Sequence, residues 1–205
     1  MSDESIPVSA ERPDSPMRTT GTDHVTIWGS NAEDTIAFYR DVLGMRLVLR
    51  QPNLDDPSQT HLFFDTGDGR IVTFFVGDRP SNPNPQRGGV GSVHHLAFRF
   101  APDRFEEVME ALDEKGRGYN VFDRGIFQSL YTHDQDGLVI ELTTDKYDIP
   151  DDRRAEVLAT TQRIREDDGA EYAKDEHLKA ALDELGIDAE PHDLPDAASG
   201  VGGID

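Results

Sequence analysis

One structural unit is written twice in this chain, and the repeat constrains the fold more than any single motif. Asp23-His24-Val25-Thr26-Ile27 opens a run of alternating polar and apolar residues, and His94-His95-Leu96-Ala97-Phe98 opens another. Each run is followed by an amphipathic helical pattern, a turn-rich stretch and further strand-like runs, which reads as β-α-β-β-β both times. The fold class predicted is α+β: paired βαβββ modules forming a mixed, partly open barrel, with an acidic helical C-terminal tail. Residues 1–20 are polar and Pro/Ser-rich and are expected to be disordered. Residues 21–147 form the folded core, with module one at 21–78 and module two at 92–147. Residues 148–205 form the tail, its last part (190–205) again expected to be disordered.

Local signals place the elements. In module one, His24 to Trp28 reads as a strand, and Asn31-Ala32-Glu33-Asp34 offers a helix start. Thr35 to Leu43 is the helix, with Gly44 as its C-cap. Met45 to Arg50, His61 to Phe64 and Ile71 to Val76 are strands, the last two flanking the hairpin signal Gly67-Asp68-Gly69. A Pro/Gly/Asn linker spans 79–91. In module two, Val93 to Phe100 is a strand and Pro102 to Lys115 a helix. Tyr119 to Phe122, Phe127 to Tyr131 and Leu138 to Thr143 are the remaining strands, with Asp134-Gln135-Asp136-Gly137 as a turn. Helices are predicted in the tail near Arg153 to Arg165 and Ala173 to Leu185.

Composition removes several function classes. There is no Cys, which excludes disulfides, Cys-ligated metals and thiol catalysis by the chain itself. A net charge of -21 repels phosphate backbones and anionic lipid, so neither nucleic acid nor membrane is an expected partner. Lysine occurs only at positions 115, 146, 174 and 179, and the excess acid is tolerable where salt screens it; the surface reads as halophilic. There is no apolar run of membrane-spanning length and no apolar signal core before Arg18, so a cytoplasmic location is expected.

His24 and His95 hold the same place in the two modules. Pairing the modules would bring their first strands, and both imidazoles, to one cavity. Glu141 stands in the apolar strand Leu138-Val139-Ile140-Glu141-Leu142, where a carboxylate is costly unless it is paired or bound to a metal. Two His and one Glu make a metal site with open positions, of the type suited to Fe(II). His94 and Asp23 precede the two ligands and by alternation fall on the opposite face, so His95 rather than His94 is the expected ligand.

Phe38-Tyr39-Arg40-Asp41-Val42-Leu43-Gly44-Met45 following a strand His resembles the signature of the vicinal oxygen chelate superfamily, the glyoxalase/bleomycin resistance/extradiol dioxygenase group. Asn53 to Pro57, His61 to Phe64, Ile71 to Phe75, and Asp123-Arg124 through Glu141 resemble its ring-cleaving dioxygenases of the hydroquinone-related branch. The resemblance implies an enzyme that holds Fe(II), or else Mn(II) or another divalent metal, on His24, His95 and Glu141. It would cleave a dihydroxyaromatic with O2, and a homodimer is implied by analogy. Tyr131 matches a substrate-binding Tyr of extradiol enzymes, and His61 matches a His of the branch with a possible acid–base role. Glyoxalase-type sites resemble this one but use a fourth protein ligand. The position repeating Glu141 here is Phe74 or Thr73, and neither ligates well. Better-known extradiol enzymes have a distal His where this chain has Arg70. Ile27, Phe64, Phe74 and Val139 are candidate pocket residues, while His133, His177 and His192 are expected to be solvent-exposed. Two alternatives stay open: a lyase, isomerase or thiol transferase using Mn(II), Ni(II) or Zn(II), and a non-catalytic small-molecule binding protein.

Overall fold

The computed structural model describes residues 7–85 and 88–199. The disorder expected at 1–6 and 200–205, and the linker positions 86–87, fall outside the described residues. Residues 7–23 contain no helix or strand. Module one runs β1 (His24–Asn31), α1 (Ala32–Tyr39), β2 (Arg46–Pro52), β3 (Thr60–Asp65) and β4 (Ile71–Gly77). Module two runs β5 (His95–Arg99), a 3-10 turn at Pro102–Arg104, α2 (Phe105–Glu114), β6 (Asn120–Asp123), β7 (Phe127–His133) and β8 (Val139–Asp145). Beyond them lie α3 (Arg154–Asp167), α4 (Asp175–Glu184) and a two-residue strand, β9 (Ala198–Ser199).

The two sheets have the same plan, β1-β4-β3-β2 and β5-β8-β7-β6-β9. In each, the first strand pairs parallel with the last strand of its module, and the other module strands pair antiparallel. Asn31 caps α1 by accepting the Asp34 N–H at 2.9 Å, with Glu33 and Asp34 in the positive first turn. The helix ends at Tyr39, short of the predicted Leu43. Residues 40–43 continue as turns, and Gly44 reverses the chain at φ +73°.

Alternation decides what each sheet buries. Leu62, Phe64, Val72 and Phe74 of module one join Phe38 and Tyr39 of α1, and the same cluster contains Phe105, Leu112, Leu130, Ile140 and Leu142 of module two. The modules therefore pack through their helix-bearing faces. Tyr39 Oη donates to Asp134 Oδ2 at 3.0 Å across this junction, and Arg117 lies over the Phe38 ring at 5.1 Å. The opposite sheet faces, which carry His24 and His95, point away from the shared core. Among the described residues β1 and β5 are not paired with each other, and no closed barrel forms.

The tail packs on module two. Tyr147, Val157, Leu178 and Leu182 make a second small core with Ile126 of the β6–β7 turn against it. Gly125 is required there: at φ +83°, a Cβ would lie 2.3 Å from the Ala173 carbonyl oxygen. Residues 190–199 return along the sheet. The Gln128 side chain donates to the Pro195 carbonyl at 2.7 Å, and β9 pairs with β6.

Candidate metal centre

Strand register fixes which positions of the two modules correspond. His24 pairs with Ile71, so Thr26 pairs with Thr73, and Thr73 with Phe63. His95 pairs with Val139, so Ala97 pairs with Glu141, and Glu141 with Tyr131. Thr73, not Phe74, is the counterpart of Glu141. Phe63 is the counterpart of Tyr131, and His61 that of Ser129. The Thr73 hydroxyl donates to the Thr26 hydroxyl at 2.9 Å, so it is used locally. Phe64 and Phe74 are fully buried on the helix side and Ile27 packs with them, so these three do not line the site. Only Val139 of the four candidate lining residues lies on the His95 face.

Glu141 is the centre of the module-two site. Its side chain is 5% exposed. Oε1 accepts from Ser129 Oγ at 2.6 Å and from Tyr131 Oη at 2.7 Å, while Oε2 lies 2.9 Å from His95 Nε2. Arg124 Nε donates to Tyr131 Oη at 3.1 Å, and its guanidinium lies over the Tyr131 and Phe122 rings. Burial, then Glu141, pushes the Tyr131 phenol above its ordinary pKa, while Arg124 opposes this. The phenol is thus a proton donor at neutral pH.

The two first-strand histidines are held alike. His24 Nδ1 lies 2.6 Å from Asp23 Oδ1, and His95 Nδ1 lies 2.8 Å from His94 Nδ1. In both, the preceding side chain engages Nδ1, the arrangement that orients metal-ligating imidazoles. His94 sits just before β5 rather than within it, so strict alternation does not apply to it. His95 Nε2 and Glu141 Oε2 are close enough that they must share a proton or a cation, and the donor set suits a divalent metal of the Fe, Mn or Zn group. His24 does not join them: among the described residues no three His, Asp or Glu side chains gather as a metal site.

His61 stands on the outer face of module one, its ring 4.0 Å from that of Phe63 and 4.5 Å from that of Phe75. Its Nε2 is buried without a hydrogen-bond partner among the described residues. Burial, then nearby His24, holds its pKa below the ordinary 6.5. Trp28, 65% exposed, continues this aromatic face, 5.5 Å from Phe75.

Three other histidines depart from expectation. His133 ends β7 on the rung of Val139 and His95, partly buried rather than in an exposed turn. His177 is 2% exposed and caps α4, its Nδ1 accepting the Lys174 N–H at 2.9 Å. His192 is partly covered, and its backbone N–H donates to the Lys146 carbonyl. Ser129 and Arg124 were not singled out from the sequence. Ser129 had a signal, since it lies two residues from Tyr131 on the same face of a strand.

Two facing βαβββ modules with a His–Glu pair on one outer sheet face define a class of metal-chelating folds. Residues 21–142 match the Glyoxalase/Bleomycin resistance protein/Dioxygenase superfamily, and the chain belongs to it. Among its relatives is MhqO of Bacillus subtilis (strain 168), provisionally named a ring-cleaving dioxygenase. It is 39% identical over 128 residues, covering 61% of this chain and 40% of MhqO. The metallothiol transferase FosB of Staphylococcus haemolyticus is 28% identical over 130 residues, 60% of this chain and 83% of FosB. A glyoxalase/dioxygenase crystal structure from Nostoc punctiforme superposes with a TM-score of 0.52 at 22% identity, covering 67% of this chain and 99% of that one. The chain spans 31–40% of the length of the ring-cleaving relatives from Bacillus subtilis that it matches.

Proposed function

We propose that this chain is a metal-dependent, extradiol-type dioxygenase that cleaves the ring of a dihydroxyaromatic of the catechol or hydroquinone class with O2. His95 and Glu141 of one copy and His24 of a second copy would hold the metal, Fe(II) before Mn(II), in a homodimer with two equivalent sites. The observation that carries this reading is Glu141, a buried carboxylate facing His95, with Thr73 at its repeat position. The protein then supplies three donors, and open positions remain for a diol and O2. When bound, the metal would bring the two reactants together and let electron density pass from diol to oxygen.

The chain's own residues do the rest. Ser129 and Tyr131 occupy Oε1 of Glu141 and fix the direction of Oε2. Tyr131, kept protonated by burial, donates to Glu141 without substrate and would turn its one O–H to a substrate oxygen when a diol binds, leaving Ser129 on Oε1. His61, kept neutral near pH 7, offers a lone pair to take up a diol proton. Trp28, Phe63 and Phe75 form an aromatic wall for the substrate ring, contributed with His24. The excess of acidic residues supports a salt-rich cytoplasm as the place where this chemistry runs.

Metal content and O2 uptake test the reading. Anaerobic purification in molar KCl, Fe(II) addition and a panel of catechols and hydroquinones should give about one metal per complete site and diol-dependent O2 consumption. Separate His24→Ala and Glu141→Ala chains should each be inactive. Mixing them should restore about a quarter of wild-type activity, because half the dimers are mixed and each has one intact site. No recovery on mixing would overturn the shared site. The coverage of FosB, 83% against 40% for MhqO, favours a second reading as a thiol transferase. Turnover of thiol and electrophile without O2 would decide for it.

A further inference from the structure

The match to the superfamily ends at residue 142, yet the chain beyond it returns to the wall of the site. β9 pairs parallel with β6, Ala198 opposite Phe122 and Ser199 opposite Asp123. Gln128 Nε2 donates to the Pro195 carbonyl at 2.7 Å, His192 N–H donates to the Lys146 carbonyl at 2.8 Å, and Leu194 packs on the main core. Lys146 Nζ in turn binds Asp123 at 2.8 Å and reaches Asp175 of α4 at 3.6 Å. β6 has only four residues, and without β9 it would be an unprotected edge.

What β6 holds explains why this matters. The Phe122 ring packs against Tyr131 with centroids 5.8 Å apart. Arg124, one residue past the strand, lies 4.7 Å over Phe122 and 4.9 Å over Tyr131. Its Nε–H donates to Tyr131 Oη. A phenol that accepts from a guanidinium directs its own proton elsewhere, and here it goes to Glu141. A shift of β6 would release that orientation.

We infer that residues 190–199 are part of the active site: through β9 and its approach to β6 they hold Arg124, a positioning residue that keeps the Tyr131 hydroxyl beside Glu141, from where its one proton would turn to a diol bound there. The inference rests on the dioxygenase reading. It extends the functional unit past the superfamily match and makes the tail a determinant of diol affinity more than of metal affinity.

The test compares the wild type with Arg124→Leu, Arg124→Lys, Gln128→Leu and a chain ending at residue 189. Three quantities are read: Mn(II) affinity without diol, anaerobic catechol and hydroquinone affinity of the metal-loaded protein, and kcat against KM. Mn(II) affinity should fall less than diol affinity, since the ligands are untouched and Ser129 still holds Oε1 of Glu141. Diol affinity should fall about tenfold in Arg124→Leu and in the shortened chain, the loss of one charged hydrogen bond. Arg124→Lys should recover part of it, and Gln128→Leu should lose severalfold. Should the shortened chain not fold, Gln128→Leu carries the strand's part of the test. Diol bound equally by wild type, Arg124→Leu and Gln128→Leu overturns this inference alone. A wild type that binds metal but no diol overturns it together with the dioxygenase reading.

Discussion

Glu141→Gln separates a functional carboxylate from a structural one. The side chain is 5% exposed and accepts two hydroxyl hydrogen bonds at 2.6 and 2.7 Å. Glutamine keeps Oε1 as an acceptor for both and presents an amide N–H to His95 Nε2, 2.9 Å from Oε2 in the wild type, so that contact is exchanged and only the charge-assisted part of each hydroxyl bond is lost, about 0.5–1.5 kcal/mol apiece. Against this stands release from burying a carboxylate, worth on the order of a few kcal/mol. The two nearly cancel, so the metal-free variant should unfold within about 1 kcal/mol of the wild type. The metal-bound state behaves differently. A metal present at about 100 times its Kd stabilises the native state by about 2.7 kcal/mol. For a chain of this size each kcal/mol moves the melting temperature by about 2–4 °C. Anaerobic thermal unfolding with and without Fe(II) or Mn(II) should therefore show the wild type rising by roughly 5–10 °C and Glu141→Gln not rising. A variant that keeps the full metal shift would remove Glu141 from the metal's ligands, and a metal-free variant that melts more than about 10 °C early would make the carboxylate a structural group.

Further outcomes follow from other contacts. Tyr39→Phe removes the buried donor to Asp134 that ties α1 to the β7–β8 turn and should cost about 1–3 kcal/mol, read as a lower urea midpoint. Gly125→Ala should cost about 2 kcal/mol or more, because the left-handed backbone disfavours a Cβ and the Ala173 carbonyl blocks it; limited proteolysis between α3 and α4 should accelerate. The depressed His61 pKa means that the unfolded chain binds more protons just below pH 6.5, so this contribution is present above 6.5 and is lost as pH falls toward the folded value. His61→Gln should flatten the fall in stability from pH 7 to pH 5; an unchanged slope would count against the buried neutral ring. With 41 acidic against 20 basic residues, the melting temperature should climb as KCl is raised, and a flat response would remove the salt-adapted reading of the surface.

Local chemistry carried much of the fold into the sequence. The Asn31 cap, the Gly44 reversal, the period-2 strands and the repeated His at the head of each module are all decided within a few residues, and the structure has them at or within a few residues of those places. Glu141 stands out in the sequence because a carboxylate amid Val139, Ile140 and Leu142 has no neighbour in sequence to satisfy it, and the structure pairs it with His95. The same logic misjudged His177, which lies buried at the head of α4. A polar side chain or a turn-rich segment gives no local sign of the surface that will cover it.

The two modules, their element order and the residue types of the candidate site are written in the sequence, because alternation and capping depend on near neighbours. Tertiary structure decided which residues meet. A one-residue change of register exchanges the faces of a strand, so only the β1–β4 and β5–β8 pairings could make Thr73 the counterpart of Glu141 and send Phe74 to the core. Only long-range packing could turn the modules helix face to helix face, leave His24 apart from His95 and Glu141, and lay the tail on β6 beside Arg124. Those choices depend on buried area shared between segments far apart in the chain, and no short stretch of sequence contains that information.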